Sequence, residues 1–453
     1  MNPAPPVITI KQSRWIFIIT FKIGFGGFLA RIGVVGTGYV GSVTAACFAE
    51  LGNEVVCIDI DRKKVEAINE GKAVVYEPGL DELVKRNVRA GRLSASTEFA
   101  ELADAEFSFI CTGTPPKKSG ETDLSQVRSA ADSIARATSE NKKHIAVVKS
   151  TVPPGTTEAL PIKKVCMNPE FLREGKAVED FMNPDRIVVG GRKREDIDAV
   201  LSLYKPLKCK NVMKTDLRTA EMIKYASNAF LATKISFINE IANICEKLGI
   251  DVYEVAEGVG YDKRIGRLFL NAGIGWGGSC FGKDIKSLIF TSKKKGCKTS
   301  IMDAVVKVND SQPYRAVELA EKLLGKVKGK KICVLGLAFK PETDDVRDAP
   351  SLKIIRALVK KGARVKAYDP KAIENARKEV PSIEYAKSVE DCIVGVDCCI
   401  IATEWSEFSK ISARKFKELM RGNVVVDGRR ILKPEEFERE GLRYAGIGWR
   451  NIV

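Results

Sequence analysis

The sequence is poor in metal-binding residues: it has one histidine, and its twelve cysteines include no C-x-x-C pair. A zinc site of the usual ligand spacing is therefore excluded, and we predict no metal. The histidine, His144, precedes the apolar run 145–148, which is typical of a structural residue at the start of a strand. General acid–base catalysis would then fall to lysine, aspartate, glutamate or cysteine.

Long runs of like charge are also missing. The formal net charge is +16, yet no stretch exceeds the triplet Lys293-Lys294-Lys295. A basic balance favours acidic ligands, but proteins that read nucleic acid usually concentrate their charge on one element. We therefore favour small phosphorylated metabolites as ligands and predict no nucleic-acid partner.

The apolar N-terminal run 15–21 is far shorter than the ~20 residues of a membrane helix, so we predict no membrane association. Basic residues before it give the outline of a signal peptide. Because a strand begins abruptly at Arg31, we prefer to interpret residues 1–30 as an N-terminal extension. Cysteines inside strand-like apolar runs indicate buried free thiols and a reducing compartment, hence a cytoplasmic protein. They are Cys57, Cys111, Cys333, Cys398 and Cys399.

The sequence contains a strand, a glycine-rich turn, a helix-like stretch and a second strand that ends in an acid. The turn is Gly36-Thr37-Gly38-Tyr39-Val40-Gly41, and the acid is Asp59. This order is typical of a dinucleotide-binding unit, in which the three glycines allow a tight turn, approach of a pyrophosphate, and packing of helix on strand. Asp59 would accept hydrogen bonds from the adenosine ribose, which favours NAD over NADP.

Further strands are predicted at 107–111 and 145–149, and Thr114 and Thr151 follow them, where they either touch a cofactor or shape a turn. Residues 218–249 fit one long helix. A similar strand pattern restarts near residue 331. We therefore expect an α/β protein with two Rossmann-like, doubly wound domains joined by a long central helix, with a cleft between them. The predicted parts are the extension (1–30), an NAD-binding domain (31–215), a central helical and dimerisation domain (216–320) and a C-terminal Rossmann-like domain (321–453).

Glycine is concentrated in the segment 273–278, which directly precedes Ser279 and Cys280. Such a segment favours neither helix nor strand and lets the backbone come close to a ligand. If a helix begins near Ser279, its N-terminus and Lys283 would both lower the pKa of the Cys280 thiol, so a reactive thiolate is one interpretation. The other is a flexible loop with an incidental cysteine.

Lys224 and Asn228 lie one turn apart on the predicted long helix, hence on one face. They form either part of a solvated face or a pair that points into a cleft, where the lysine would polarise an oxygen. The residues alone leave both interpretations open.

Ordered motifs along the chain decide between these interpretations. Besides the glycine-rich turn, they are Glu77-Pro78-Gly79-Leu80, Ser150-Thr151-Val152-Pro153, Asn168-Pro169-Glu170-Phe171-Leu172-Arg173-Glu174-Gly175, Lys224–Asn228, Gly273–Asp284, Phe339-Lys340 and Thr343-Asp344-Asp345-Val346-Arg347. With these motifs the chain resembles the UDP-glucose/GDP-mannose dehydrogenase family from about Arg31 to about Arg430. Residues 280–284 and 77–80 fit the UDP-glucose type of that family better than the other types.

The resemblance implies a role for each matching residue. Cys280 would be the nucleophile, Lys224 and Asp284 the pair that handles protons and the developing oxyanion, and Glu170 the base that activates water. Asn228 and Thr151 would be supporting polar contacts. The implied NAD contacts are Gly36, Gly38, Gly41, Asp59, Lys64, Thr114, Thr151, Glu174, Lys283 and Arg347. The implied substrate contacts are Glu170, Phe171, Leu172, Lys224, Asn228, Phe269, Leu270, Gly273, Gly277, Lys340 and Arg429, with Arg264 reaching the substrate of a neighbouring subunit.

The implied activity is NAD-dependent four-electron oxidation of UDP-glucose to UDP-glucuronate through a thiohemiacetal and a thioester on Cys280, with residues 321–453 as the UDP-sugar-binding domain. The nearest alternative is the same chemistry on GDP-mannose or a UDP-N-acetylhexosamine. Two further alternatives are a two-electron hydroxyacid dehydrogenase, which would not need Cys280, and an inactive NAD-binding scaffold. Arg264 and the apolar long helix indicate a homodimer or a larger homo-oligomer.

One segment departs from the family pattern. Between Thr151 and Asn168 the chain is short, and few residues separate the turn at 153–155 from the predicted strand 164–167. A parallel crossover usually takes a dozen or more residues. We therefore expect the crossover helix to be reduced to a turn or two, or lost, with reduced stability or activity as a result.

Overall fold

The computed structural model describes residues 29–449, in which two sheets flank a helical middle segment. The predicted α/β class with two doubly wound domains and a long central helix is confirmed. Residues 1–28, which make up most of the expected N-terminal extension, lie outside the described residues. Among residues 29–449, none of the helices combines the length and the apolar character that crossing a bilayer requires.

The first sheet has eight strands: β1 (Arg31–Val35), β2 (Glu54–Ile58), β3 (Leu93–Ser96), β4 (Phe107–Ile110), β5 (Ile145–Val148), β6 (Val165–Met167), β7 (Ile187–Gly191) and β8 (Val212–Thr215). Their order is β3-β2-β1-β4-β5-β6-β7-β8, and all neighbours are parallel except β6 and β7. The order reverses between β1 and β4, where a crevice opens at the carboxyl ends of the strands. The central strands are mostly apolar because helices cover both faces.

The helices of this part are α1 (Tyr39–Glu50), α2 (Arg62–Asn69), α3 (Leu80–Arg89), α4 (Ser125–Ala137), α5 (Ala177–Met182) and α6 (Arg194–Ser202), with 3-10 turns at Phe99–Leu102, Thr157–Ala159 and Lys205–Leu207. Between β5 and β6 the helical structure is the 3-10 turn Thr157–Ala159, so the expectation that the crossover helix is reduced to a turn or two, or lost, is confirmed. Glu221, which is buried, accepts hydrogen bonds from the backbone N–H groups of Gly155 (2.6 Å) and Thr157 (2.7 Å). This carboxylate fixes the shortened crossover to the central helix.

The middle segment consists of α7 (Leu217–Leu248), α8 (Val252–Gly260), α9 (Phe281–Lys294), α10 (Ser300–Ser311) and α11 (Pro313–Leu324). The side chain of Asp216 caps α7, and Gly249 ends it with a φ of +70°. One side of α7 packs against α9 and α10. Apolar side chains elsewhere along it are exposed, namely Met222, Phe230, Phe237, Ile244 and Leu248. The long helix therefore carries an apolar surface that residues 29–449 leave exposed.

The second sheet repeats the plan of the first. Its elements are β9 (Lys331–Leu335), α12 (Pro350–Lys360), β10 (Arg364–Tyr368), α13 (Ile373–Glu379), β11 (Glu384–Tyr385), α14 (Val389–Ile393), β12 (Cys398–Ile401), a 3-10 turn (Phe408–Lys410), α15 (Ala413–Leu419), β13 (Val424–Asp427), α16 (Pro434–Arg439) and β14 (Arg443–Gly446). The parallel order β11-β10-β9-β12-β13-β14 again reverses beside its first strand. A second crevice therefore opens at the carboxyl end of β9.

Residues predicted to be structural are buried. His144 precedes β5, and its Nε2 lies 2.9 Å from the Ser108 hydroxyl. Burial lowers the pKa of His144 to about 4. All twelve cysteines are free thiols, and the five predicted to be buried are buried. The histidine is thus neutral at ordinary pH and serves the fold.

Candidate active site

The turn between β1 and α1 has the open geometry that a pyrophosphate needs. Gly36 has a φ of +91°, and a Cβ at Gly41 would lie 1.8 Å from the Gly36 carbonyl oxygen. A Cβ at Gly38 would meet nothing within 4 Å, so open space lies in front of it. No side chain caps α1, and its first turn holds no acid. Its N–H groups and the positive end of its dipole are therefore available to a phosphate.

Asp59 follows β2 at the edge of the same crevice. Its Oδ2 accepts hydrogen bonds from the backbone N–H (2.7 Å) and the hydroxyl (2.5 Å) of Thr37, and its Oδ1 accepts one from Asp61 N–H (3.0 Å). Burial raises the pKa of Asp59, but these hydrogen bonds and Lys64, whose Nζ lies 3.9 Å away, outweigh it and lower the pKa. An ionised acceptor at this place suits ribose hydroxyls and would repel a 2′-phosphate. The turn and Asp59 together fit NAD.

A cleft of about 1340 Å³ runs from this crevice to Cys280 and on to α12 of the second domain. The predicted site residues that line it are Gly36, Gly38, Asp59, Lys64, Thr114, Thr151, Glu170, Leu172, Glu174, Cys280, Lys283 and Arg347. The segment 346–349 and the start of α12 form the opposite wall. The volume exceeds the about 300–1,000 Å³ of usual small-molecule pockets, which leaves room for a dinucleotide and a second ligand.

Cys280 lies in this cleft as the N-cap residue of α9, with its Sγ 3.4 Å from the Ser279 hydroxyl. The expected lowering of its pKa is wrong. Burial raises the pKa of the thiol, and the carboxylate of Glu170 raises it further, which outweighs the two neighbouring lysines. The sequence displays Lys283 and the helix end but not the burial or the distant carboxylate. The thiol is therefore protonated near neutral pH and needs a base to take its proton.

Lys224 and Glu170 form a buried ion pair beside this thiol. Nζ and Oε1 are 2.8 Å apart, and the side chains are 5% and 6% exposed. The Glu170 carboxylate also accepts a hydrogen bond from Leu172 N–H (2.6 Å). Burial raises the pKa of Glu170, but the charge of Lys224 outweighs it and the pKa is lowered. Both groups are thus ionised at neutral pH.

Asn228 and Asp284 form the next part of the site. The Asn228 amide donates to Asp284 Oδ2 (2.6 Å), and Lys283 Nζ donates to Oδ1 (2.5 Å). Lys224 and Asn228 are both buried, which excludes a solvated face. The two residues implied as a pair, Lys224 and Asp284, bond to different partners here. The site therefore holds two adjacent ion pairs, Lys224–Glu170 and Lys283–Asp284. The hydrogen bond from Asn228 on α7 to Asp284 on α9 joins them.

Glu174 belongs to the cofactor domain and bonds both to the residue before Cys280 and to the segment that follows β9. Its carbonyl oxygen accepts a hydrogen bond from Lys340, and its carboxylate accepts from the hydroxyls of Ser279 (3.2 Å) and Thr343 (3.3 Å). Burial raises the pKa of Glu174. Arg347 lies 3.9 Å from the carboxylate. No role was predicted for Ser279 and Thr343, although both stand in the motifs that carried the resemblance.

Arg429 holds the glycine-rich loop, residues 273–278, against the second domain. Its guanidinium donates to the carbonyl oxygens of Gly275 (3.1 Å) and Ala402 (3.0 Å). A Cβ at Gly273 would lie 2.9 Å from a backbone oxygen, and one at Gly277 2.6 Å. These glycines therefore allow the loop to pack closely on the second domain.

Of the predicted substrate residues, Glu170 and Leu172 line the cleft and the other ten do not. Among these ten are Arg264, Phe269 and Leu270. Arg264 is exposed and bonds to Asp262 (2.6 Å). Phe269 is partly exposed with a φ of +65°, and the side chain of Leu270 is buried in the core of the second domain. Leu270 could meet a ligand only through its backbone.

Glu77 was named in a motif but given no role by sequence reasoning. It is buried and accepts hydrogen bonds from the N–H groups of Gly175 (2.6 Å) and Ala177 (2.7 Å), and from the Tyr39 hydroxyl. Tyr39 belongs to the glycine-rich turn. Glu77 thus ties that turn to the loop that carries Glu174.

Three successive parts of the chain match models of one protein family. They are its NAD binding domain at residues 30–208, its central domain at 218–311 and its UDP binding domain at 333–434. The chain belongs to the UDP-glucose/GDP-mannose dehydrogenase family. The predicted family, the NAD cofactor and the oxidoreductase activity are confirmed.

Relatives of this dehydrogenase match along nearly their whole length. The UDP-glucose 6-dehydrogenase TuaD of Bacillus subtilis (strain 168) is 45% identical over 433 residues, 93% of each chain. A solved UDP-glucose dehydrogenase from Pyrobaculum islandicum is 42% identical with a TM-score of 0.87, covering 94% of this chain and 99% of that one. A UDP-D-ManNAc dehydrogenase from Pyrococcus horikoshii is 29% identical with a TM-score of 0.82, covering 93% and 100%.

Proposed function

We propose that this dehydrogenase oxidises the C6 alcohol of UDP-glucose to the carboxylate of UDP-glucuronate, with two NAD reduced. The observation that carries the proposal is the position of Cys280, in a cleft that runs from the dinucleotide turn to α12 of the second domain, beside the pair Lys224–Glu170. A single oxidation of an alcohol needs no thiol there. A thiol serves a second oxidation, because its covalent adduct holds the aldehyde and presents a carbon from which hydride can leave.

The residues around Cys280 support such a route. NAD, when bound, would supply the hydride acceptor, and each of the two oxidations would reduce one NAD molecule. The thiol sulfur adds to the aldehyde carbon, the carbonyl electron pair moves onto oxygen, and the thiol proton passes to a neighbouring base. Oxidation of this thiohemiacetal leaves a thioester. Water then adds to the thioester carbon, and the carbon–sulfur bond breaks to give the acid and the free thiol.

Specific side chains are assigned to these steps. Lys224 and Asn228 carry donors that can stabilise the oxyanion formed at each stage. Glu170 is ionised and takes a proton from the attacking water. Asp284 holds Asn228 in place through their 2.6 Å hydrogen bond. Lys340 and Arg429 belong to the part of the chain that matches the UDP binding domain, and we assign them to the nucleotide sugar.

The choice of UDP-glucose rests on the relatives. Those that are 42–45% identical are named UDP-glucose 6-dehydrogenases, whereas the UDP-D-ManNAc enzyme is 29% identical. The test is kcat/KM with UDP-glucose, GDP-mannose and a UDP-N-acetylhexosamine. UDP-glucose is expected to give the highest value. Preference for another sugar would overturn the substrate assignment and leave the thioester route standing.

We also propose that the enzyme is a homodimer, or a larger homo-oligomer, that buries the exposed apolar side chains of α7. Arg264 is exposed, outside its own cleft, where it could reach the substrate of a neighbouring subunit. Light scattering should give a mass of at least two chains, and Phe230→Glu with Phe237→Glu should lower it. A monomeric wild-type enzyme would contradict this. The free, mostly buried cysteines support a cytoplasmic location.

We assign one function to each predicted domain, with the predicted boundaries. Residues 31–215 bind NAD, residues 216–320 supply Cys280 and the subunit contact, and residues 321–453 bind the UDP-sugar. The three family matches, at 30–208, 218–311 and 333–434, support this division.

A further inference from the structure

A buried lysine at the end of β5 has no part in the chemistry above. Lys149 is 4% exposed and lines the inner end of the cleft. Its Nζ donates to Asn168 Oδ1 (3.0 Å) and to the Tyr204 hydroxyl (3.4 Å), and it faces the rings of Phe181 and Tyr204. These partners are all neutral. Burying an ammonium group among neutral partners is costly, so its presence beside the site needs a reason.

Asn168, the hydrogen-bond partner of Lys149, lies in the loop after β6 that carries Glu170. Its amide nitrogen donates to the Val188 carbonyl (2.8 Å), and its Oδ1 accepts a second hydrogen bond, from the Tyr204 hydroxyl (2.5 Å). Asn168 begins the segment Asn168-Pro169-Glu170 at the end of β6, the strand next to β5. Lys149 is therefore anchored two residues before the proposed base.

Few of the groups around Lys149 carry a negative charge that its ammonium could stabilise. The titratable and charged groups that face it are Cys47 on α1, Cys111 after β4, Glu170 after β6, Lys224 on α7 and Tyr204 after α6. Those that face Glu170 are Lys224, Lys149, Cys111 and Cys280. Glu170 is the one carboxylate of the first set. Burial lowers the pKa of Lys149 to about 8, so it remains a cation below that pH.

Glu170 needs a second cation because its first one has another task. Lys224 neutralises Glu170 in the structure, and in the proposed reaction it also stabilises the oxyanion. We propose that Lys149 is a positioning residue whose charge, held against Asn168, keeps Glu170 ionised and in place while Lys224 serves the substrate oxygen. This inference rests on the proposed role of Glu170 as the base.

The test compares the pH dependence of kcat in three variants. Lys149→Met removes the charge, Lys149→Gln removes it but keeps a donor for Asn168, and Tyr204→Phe removes a hydroxyl and leaves the charge. The acid limb of the kcat profile should move up by about one pH unit in both Lys149 variants. It should not move in Tyr204→Phe, and the KM for the nucleotide sugar should stay within twofold. Return to neutral pH after each incubation checks for acid inactivation.

The outcomes separate this inference from the proposed function. A fall in kcat at every pH with an unmoved limb would mean a merely structural lysine and overturn the inference, as would failure of both Lys149 variants to fold. If only Lys149→Met fails to fold, Lys149→Gln decides. Glu170→Gln should lose the acid limb together with most of its activity. Wild-type activity in Glu170→Gln would instead refute the proposed base.

Discussion

The buried pair Lys224–Glu170 makes a sharp prediction about stability. Nζ and Oε1 are 2.8 Å apart and almost fully buried. Lys224→Met keeps most of the apolar stem but removes the cation that bonds to this buried carboxylate, which costs about 3–5 kcal/mol. A cooperative unit the size of the cofactor domain loses about 2–4 °C of Tm per kcal/mol. Calorimetry of the NAD-free enzyme at pH 7 should therefore show a Tm lower by about 6–20 °C.

The double variant Lys224→Met with Glu170→Gln is the matched control. It removes both charges and should recover most of the lost Tm. Glu170 has a lowered pKa in the wild type, so its contribution is present above its ordinary pKa of 4.5 and lost as pH falls through the folded pKa. In Lys224→Met the pKa of Glu170 rises, so the deficit should shrink as pH falls from 7 towards 5. An unchanged Tm in the single variant, or a double variant as unstable as the single, would refute the reasoning.

Three further predictions concern the crossover, the dinucleotide turn and the histidine. Glu221→Ala leaves two backbone N–H groups of the crossover unpaired and should cost about 1–3 kcal/mol for each, seen as a lower Tm. Gly38→Ala should leave the Tm without NAD unchanged but abolish the rise in Tm that NAD gives, whereas Gly41→Ala should lower the Tm even without NAD, because its Cβ would strike a backbone oxygen. The pKa of His144 is about 4, below its unfolded value of 6.5, so the wild type should lose stability as pH falls from 6.5 to 4, and His144→Gln should lose less.

Local patterns account for what could be predicted. Parallel strands buried on both faces are apolar runs, and the turn after β1 needs glycine at set positions, so the cofactor crevice is visible in the sequence. The lost crossover helix follows from chain length alone. Lys224 and Asn228 share a face because of helical spacing, although their burial becomes evident only once α9 packs against α7.

The features that could not be predicted depend on contacts between distant parts of the chain. The pKa of Cys280 is set by burial and by Glu170, which is 110 positions away in the sequence. Asp284 takes the adjacent Lys283 as its partner, and Glu170 takes Lys224. Motif order marked these residues as candidates, but which charge meets which is decided by the way α7, α9 and the loop after β6 pack together. The anchoring contacts of Glu77 and Lys149 were missed for the same reason.

The most direct test of oxidation through a thioester on Cys280 is the yield of NADH per UDP-glucose consumed. The enzyme should release two NADH for each UDP-glucuronate formed. The Cys280→Ser variant should form the acid more slowly than the wild type. One NADH per sugar nucleotide would contradict the thioester route.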